Sequence, residues 1–509
     1  MATTGRVHFL TALRIIVTAL VLASPLLGNA QPSPPQPSDS AKQPLGHRIG
    51  ALRAQLEKEL DRANVPAAAL VIVDAQVNPK NSKQPLKTIL PFGSATPNTP
   101  FRLGSITKTF TALALLHAAE AQATPLSSPA APVVGANYWS NRFQTKNPVT
   151  LGQLVELSAG FSDISSAEFA SAVPLERKQA LLAHRATHFA RWPPGQQHSY
   201  SNLIPAFTAL AVEALTQQTF ETYLHRHVLK PLGMPNASLA PLAALPGGYE
   251  ADGKTLIPYW HTIYPAFGGL NATPTEFSDF LLRLTTGDLG KPLIAALEHR
   301  GKVPIYQPLT TAAARAGLTM GYGAGIYGWE TRGHFFAGHG GDADGYRSRY
   351  AILPGANRGY FLVINTDNPR LLRSLTHKVE AYLTADLTRP QEQPREASHS
   401  NTALADTTNT VLAHARLFAG NYVRASQRFN AETLATCDQK QPTLSLKNDE
   451  LLWRRGNKTQ SLIATGKGLY RKKNNTLASV ALVLIDGKRH LQGELGNWLH
   501  AEDASRCAN

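Results

Sequence analysis

Cysteine is nearly missing from this chain. Of its 509 residues only Cys437 and Cys507 carry thiols, which rules out a disulfide scaffold or a cysteine-ligated cluster as the organiser of the fold. In an oxidising compartment these two form a candidate disulfide. Metal-ligand spacing is equally scarce. His334 and His339 stand five apart, but no HExxH helix or third ligand accompanies them, so neither a metal nor another cofactor is called for. Past the N-terminus no apolar run reaches the roughly 20 residues of a bilayer span. Acidic residues are in short supply as well: 35 Asp/Glu face 50 Lys/Arg, for a net charge of +15. No nucleic-acid motif goes with that charge, so nucleic acid is not an expected partner. For an exported protein the fitting partner is an anionic cell-envelope polymer or a lipid headgroup, and plain solubility explains the charge equally well.

What is present begins with a targeting segment. Arg6 and Arg14 supply a positive n-region, Ile15 to Leu27 a short apolar stretch, and Gly28-Asn29-Ala30 a small-residue cleavage site. Residues 1–30 are therefore expected to be a signal peptide cleaved near Ala30. Export to the periplasm or beyond follows, with no stable membrane span after cleavage. Residues 31–46, opening QPSPPQPSDSAKQP, are a Pro/Ser-rich tether with nothing to bury.

The remaining length exceeds one ordinary core and predicts two domains. Ile49, Leu52, Leu56 and Leu60 recur at helical spacing, and AAALVIVD (67–74) follows as a strand. Further helical patterns start at Ser105 and after Asn202. HFFAG (334–338), YRSRYAILP (346–354) and GYFLVINTD (359–367) are strands, and 369–383 returns as a helix. Strands at both ends with helices between predict an α/β fold: an antiparallel sheet flanked by helices, with an all-helical subdomain in the middle. That domain spans 47–385. A polar linker fills 386–411. Residues 412–509 hold 15 Lys/Arg and 8 Asp/Glu in strand-like runs punctuated by Gly, Asn and Asp. They predict a small all-β, barrel-like module, with Asp486-Gly487 as a type I′ hairpin turn.

Three short motifs carry chemistry. In FRLGSITKTFTALALL, Ser105 and Lys108 are three apart, so on a helix they share a face and the lysine can activate the hydroxyl. Taken alone, a capping serine with a solvated lysine explains this spacing as well. In RWPPGQQHSYSNLIPAF, Tyr200 sits on a Pro/Gly loop as a candidate proton shuttle. Asn202 offers a donor and an acceptor to a substrate amide, or simply caps the next helix. Gly338-His339-Gly340-Gly341-Asp342 allows the backbone to approach a ligand closely, as an oxyanion donor must. A glycine-rich hairpin is the plainer account.

Taken in order, SxxK, YxN and HxG resemble the serine β-lactamase-related superfamily, in its class C and penicillin-binding-protein-like esterase branch. The resemblance runs over about 47–385 and includes VLKPLGMPNAS (228–238) and PAFGGLNATPTEFSDFLL (265–282). It implies Ser105 as the acylated serine, Lys108 as its partner, Tyr200 as acid/base and Asn202 as a substrate contact. The backbone N–H groups of Ser105 and Asp342 would form the oxyanion hole, with His339, Gly340 and Gly341 along the binding strand. It also implies that the C-terminal module is lipocalin-like. Two departures stand out. His339-Gly340-Gly341 replaces the Lys-Thr-Gly of β-lactamases, removing an ammonium and a hydroxyl, and LSAGF (157–161) replaces an HTSGL-type segment. The function expected is an exported serine hydrolase acting on small ester or amide substrates. The rivals are a D-Ala-D-Ala carboxypeptidase, D-aminopeptidase or β-lactamase, and, in another class, a catalytically silent binding protein.

Overall fold

The structure, a computed structural model, describes residues 45–75, 85–388, 411–425, 442–447, 450–466, 468–494 and 496–504. The expected signal peptide, the tether up to residue 44, most of the linker, Cys437 and Cys507 lie outside these.

Strand β1 (Ala67–Asp74) is buried on both faces, and its side chains sort with the two-residue period of a strand. Ala67, Ala69, Val71 and Val73 enter one core, Ala68, Leu70 and Ile72 another. This alternation is what a sheet covered on both sides requires. The sheet also contains β2 (Leu86–Gly93), β3 (Tyr327–Thr331), β4 (His334–Ala343), β5 (Tyr346–Leu353) and β6 (Arg358–Ile364), in the order β2-β1-β6-β5-β4-β3. Every neighbouring pair is antiparallel.

Helix α1 (Leu45–Arg62) lays Leu45, Leu52, Leu56 and Leu60 on one face of the sheet, beside Leu375 and Val379 of a C-terminal helix (Pro369–Thr384). The other face is covered by α2 (Thr107–Ala121) and α4 (Pro274–Thr286), with α3 (Leu203–Thr216) packed on α2, and the C-terminal helix is therefore α5. Helix α2 has no polar stripe, because Phe110, Leu113, Ala114, Leu115 and Leu116 bury its whole circumference. It is the central helix of the subdomain, and its first turn is thereby held rigidly.

The expected elements are present. Of this sheet, two strands were not anticipated, β2 and β3, and both are its edges. β2 contains Pro91 and β3 contains Gly328, residues that weaken a strand signal and that an edge tolerates because one side of its ladder is unpaired.

The C-terminal module is a closed eight-stranded barrel. Its strands are β7 (Gly420–Arg424), β8 (Thr443–Lys447), β9 (Glu450–Arg455), β10 (Lys458–Gly466), β11 (Leu469–Lys472), β12 (Val480–Ile485), β13 (Lys488–Gly493) and β14 (Trp498–His500). Asp486 (φ 50°) and Gly487 (φ 75°) join β12 to β13 with both residues left-handed, as a type I′ turn demands. The barrel is docked on the α/β domain. Ala481, Val483 and Ile485 pack on Ala313 and Leu318, and Glu330 accepts the N–H groups of Thr476 (2.7 Å) and Leu477 (3.1 Å).

One buried polar cluster ties the subdomain together. Glu168 accepts from the Tyr264 hydroxyl at 2.9 Å and meets His188 Nε2 at 2.6 Å. Burial by itself would raise the Glu168 pKa. The His188 hydrogen bond and charge, with the Ser165 N–H and hydroxyl, outweigh it and bring the value to about 2. A folded-state pKa below the ordinary 4.5 means that Glu168 contributes stability above that value and loses it as pH falls towards 2. Glu168→Gln should therefore destabilise the protein by about 3–5 kcal/mol at pH 7, the usual cost of breaking a buried pair. Urea unfolding of both proteins should show the difference shrinking steadily below pH 4.

Candidate active site

Ser105 does not open the α-helix as expected. It sits in a single 3₁₀ turn, Gly104–Ile106, and α2 begins at Thr107. The turn is set by Gly104, which is left-handed at φ 54°. A Cβ there would lie 2.7 Å from the Asp342 N, so only glycine lets β4 pass this close. The Thr107 hydroxyl completes the turn by donating to Gly104 O (2.7 Å) and accepting from Leu270 N–H (3.1 Å). The i+3 relation to Lys108 survives the change.

Lys108 is buried, and its ammonium has three acceptors: Ser105 Oγ at 3.0 Å, Asn202 Oδ1 at 2.7 Å and the Phe267 carbonyl at 2.9 Å. The Nζ lies 4.9 Å from the Tyr200 ring centroid and 5.3 Å from that of Phe267. Ser105, Lys108, Tyr200 and Asn202, chosen from separate motifs, thus converge on one point.

Asn202 stands at the head of α3, yet its side chain does not cap the helix. Its carbonyl holds Lys108, and its backbone N–H donates to Asp163 Oδ1 at 2.6 Å. Its side-chain NH₂ lies 3.4 Å from the other Asp163 oxygen. The side chain of Asn202 thus faces the lysine with its carbonyl and Asp163 with its NH₂. Asp163 was not singled out from sequence. It lies just beyond LSAGF, a segment whose own part is now visible. Leu157 O and Ser158 O accept the N–H groups of Ser199 and Gly195, anchoring the Tyr200 loop.

His339 is also turned inward. Its Nδ1 lies 2.6 Å from the Gly340 carbonyl and its Nε2 3.1 Å from the Tyr322 hydroxyl. A carbonyl only accepts, so Nδ1 carries the proton. Burial holds the Tyr322 phenol well above its ordinary pKa, so it stays protonated and can donate to Nε2. Gly341 faces the Ser105 turn, where a Cβ would strike the Leu103 carbonyl at 1.9 Å. At Gly340 a Cβ would meet only ordinary contacts, the Tyr327 hydroxyl at 3.5 Å and the Ser348 carbonyl at 3.9 Å. The Asp342 side chain points to solvent and pairs with Arg347 at 3.0 Å, leaving its backbone to face the site.

Of these residues, Ser105, Tyr200, His339, Gly340 and Asp342 line a cavity of about 570 Å³. Tyr322, Tyr327 and Trp329 line it, together with His198. The His198 ring stacks on Tyr322 at 4.8 Å, and desolvation brings its pKa down to about 4, so it is neutral at pH 7. The aromatic wall was not read from sequence, since its members carry no motif and meet only through folding.

A serine and a lysine one turn apart, in a cleft between an antiparallel sheet and a helical subdomain, define a protein of the β-lactamase fold. The chain belongs to the β-lactamase family, whose model, described as Beta-lactamase, matches residues 52–383. Protein flp of Staphylococcus aureus (strain COL) is 23% identical over 342 residues, 64% of this chain and 65% of that protein. The chain thus spans 65% of that relative's length. A β-lactamase of Yersinia enterocolitica is 30% identical over 141 residues, 27% of this chain and 33% of that one. Among solved structures, the octameric penicillin-binding protein homologue from Pyrococcus abyssi has a TM-score of 0.52 at 18% identity, over 89% of this chain and 99% of its own. A β-lactamase/D-alanine carboxypeptidase from Pseudomonas syringae has a TM-score of 0.52 at 13% identity, over 65% and 98%.

Asp163→Ala should leave the Asn202 N–H groups buried without their acceptor, at a cost of about 1–3 kcal/mol. Urea unfolding should show that loss. Labelling of Ser105 by a fluorophosphonate should slow in the same variant, because Asn202 no longer holds the lysine in place.

Proposed function

We propose that the protein is an exported serine hydrolase that forms an acyl-enzyme at Ser105 and acts on esters or amides of small acyl groups. The observation that carries this reading is the buried Lys108 ammonium donating to Ser105 Oγ at 3.0 Å, at the floor of the cavity.

An ammonium that donates to the serine cannot also take its proton. The shuttle falls to Tyr200, whose phenolate the adjacent ammonium stabilises. Tyr200 accepts the Ser105 proton as Oγ bonds to the acyl carbon. The oxyanion is met by the backbone N–H groups of Ser105 and Asp342, brought together by Gly104 and Gly341. Tyr200 then returns the proton to the departing alcohol or amine. A water, deprotonated by the same phenolate, releases the acid and restores Ser105.

The likeness to the β-lactamase/D-alanine carboxypeptidase from Pseudomonas syringae favours a second reading, a D-alanyl peptidase or β-lactamase. Against it stands the third motif. The family resemblance gives lactamases a lysine and a threonine there to grip a carboxylate. Here both His339 nitrogens are engaged within the protein, and Gly340 carries no side chain.

Ser105→Ala should abolish fluorophosphonate labelling with the fold intact, read by mass spectrometry and circular dichroism. Tyr200→Phe should lower kcat by a factor on the order of 10² or more. Adding Lys108→Ala to that variant should cost little further, since groups acting as a unit are not additive. A near-wild-type Tyr200→Phe would mean another base.

A lost charge-assisted contact is worth about 1.5–3 kcal/mol, or roughly 10- to 100-fold in rate. For a p-nitrophenyl short-chain ester, kcat/KM should exceed that for a chromogenic cephalosporin by about 100-fold or more. His339→Lys should narrow the gap. Efficient cephalosporin turnover by the wild type would promote the lactamase reading instead.

A further inference from the structure

The cavity above Ser105 is not closed by the catalytic domain alone. Gln492, Glu494 and Asn497 of the barrel line it alongside Ser105, Tyr200 and His339. Two of these barrel residues also reach past the cavity to the main chain that leads into Tyr200. The Gln492 side-chain NH₂ donates to the Gln196 carbonyl at 3.0 Å, while its oxygen accepts from Ala313 N–H at 3.1 Å. The Asn497 side-chain NH₂ donates to the His198 carbonyl. In the opposite sense, the Gln197 side chain donates to the Ala425 carbonyl of the barrel at 3.2 Å. Three consecutive residues, two to four positions ahead of Tyr200, are thus each bonded to the barrel.

The Leu157 and Ser158 carbonyls hold that segment from the other side through the N–H groups of Ser199 and Gly195. It follows Pro193-Pro194-Gly195, with Gly195 left-handed at φ 77°, and it belongs to no helix or strand before α3 begins at Leu203. Hydrophobic contact would hold it loosely, since apolar packing is non-directional. Amide-to-carbonyl hydrogen bonds fix direction as well as distance. Gln492 and Gln197 are buried, so these bonds are shielded from competing water.

We propose that Gln492 and Asn497 are positioning residues for catalysis: through the Gln196 and His198 carbonyls they hold the Tyr200 loop in register with Lys108 and Ser105. The barrel is then a working part of the active site. This rests on the serine hydrolase reading for its effect on rate, though not for its effect on the loop.

The test compares Gln492→Ala and Asn497→Ala with Glu330→Gln, which weakens barrel docking away from the cavity at the contacts to Thr476 and Leu477. In the full-length protein, hydrogen–deuterium exchange of peptides covering 193–203 should be several-fold faster in the first two variants and unchanged in the third. Their kcat for a short-chain ester should fall on the order of 10- to 100-fold, as for a misplaced catalytic group. KM should stay within about threefold and the pH profile of kcat should shift, and a smaller folded fraction would not produce that shift. Unchanged exchange in the two alanine variants would overturn the proposal. So would faster exchange with wild-type kcat and pH profile, or equal effects from Glu330→Gln. Absence of fluorophosphonate labelling in the wild type would instead sink the hydrolase reading, and the exchange result would still decide the clamp.

Discussion

The structure is organised around one buried cation. An ammonium withdrawn from water costs several kcal/mol unless every proton finds an acceptor. Lys108 finds three, on three separate stretches of chain: Ser105 Oγ, Asn202 Oδ1 and the Phe267 carbonyl. Those stretches must therefore converge, and much of the surrounding polar structure can be understood as holding them there. Asp163 fixes Asn202 from behind. The Thr107 and Thr111 hydroxyls bind the α2 turn to its neighbours, Thr111 reaching the Ala266 carbonyl at 2.7 Å. Glu168 anchors Tyr264, three residues ahead of the Phe267 carbonyl.

The same economy of space explains the glycines. The Ser105 turn and β4 lie so close that neither Gly104 nor Gly341 has room for a methyl group. Backbone N–H groups of both segments can then face one point without a side chain between them. At Gly340 a methyl group would be tolerated, with only ordinary contacts at 3.5 and 3.9 Å. The third motif is thus tight where two backbones must meet and roomier one residue earlier.

His339 shows how far a family pattern can be followed. The position matches, but the imidazole is part of an aromatic wall with Tyr322 and Tyr327, and its nitrogens are satisfied internally. A side chain that closes its hydrogen bonds within the protein shapes the cleft and leaves less for a charged ligand. The barrel completes the enclosure from the other side, so the cavity is bounded by two modules that the polar linker would suggest are independent.

Local and periodic features could be read directly from the chain. The alternation of Ala67–Asp74, the helical spacing of Leu52, Leu56 and Leu60, the positive-φ pair Asp486-Gly487 and the Ser105–Lys108 spacing each concern residues a few positions apart, where backbone geometry alone dictates who meets whom. The edge strands β2 and β3 escaped because their Pro91 and Gly328 are tolerated only where a sheet ends, and the edges of a sheet are a tertiary fact. The same is true of Asp163 with Asn202, Tyr322 with His339 and Asn497 with His198, pairs separated by 39, 17 and 299 positions. Sequence by itself determined which groups could react, because reactivity belongs to residue type and short spacing. Only the tertiary structure decided which of them are free to do so, because a hydrogen bond to a distant partner uses up a donor or acceptor that local sequence still counts as available.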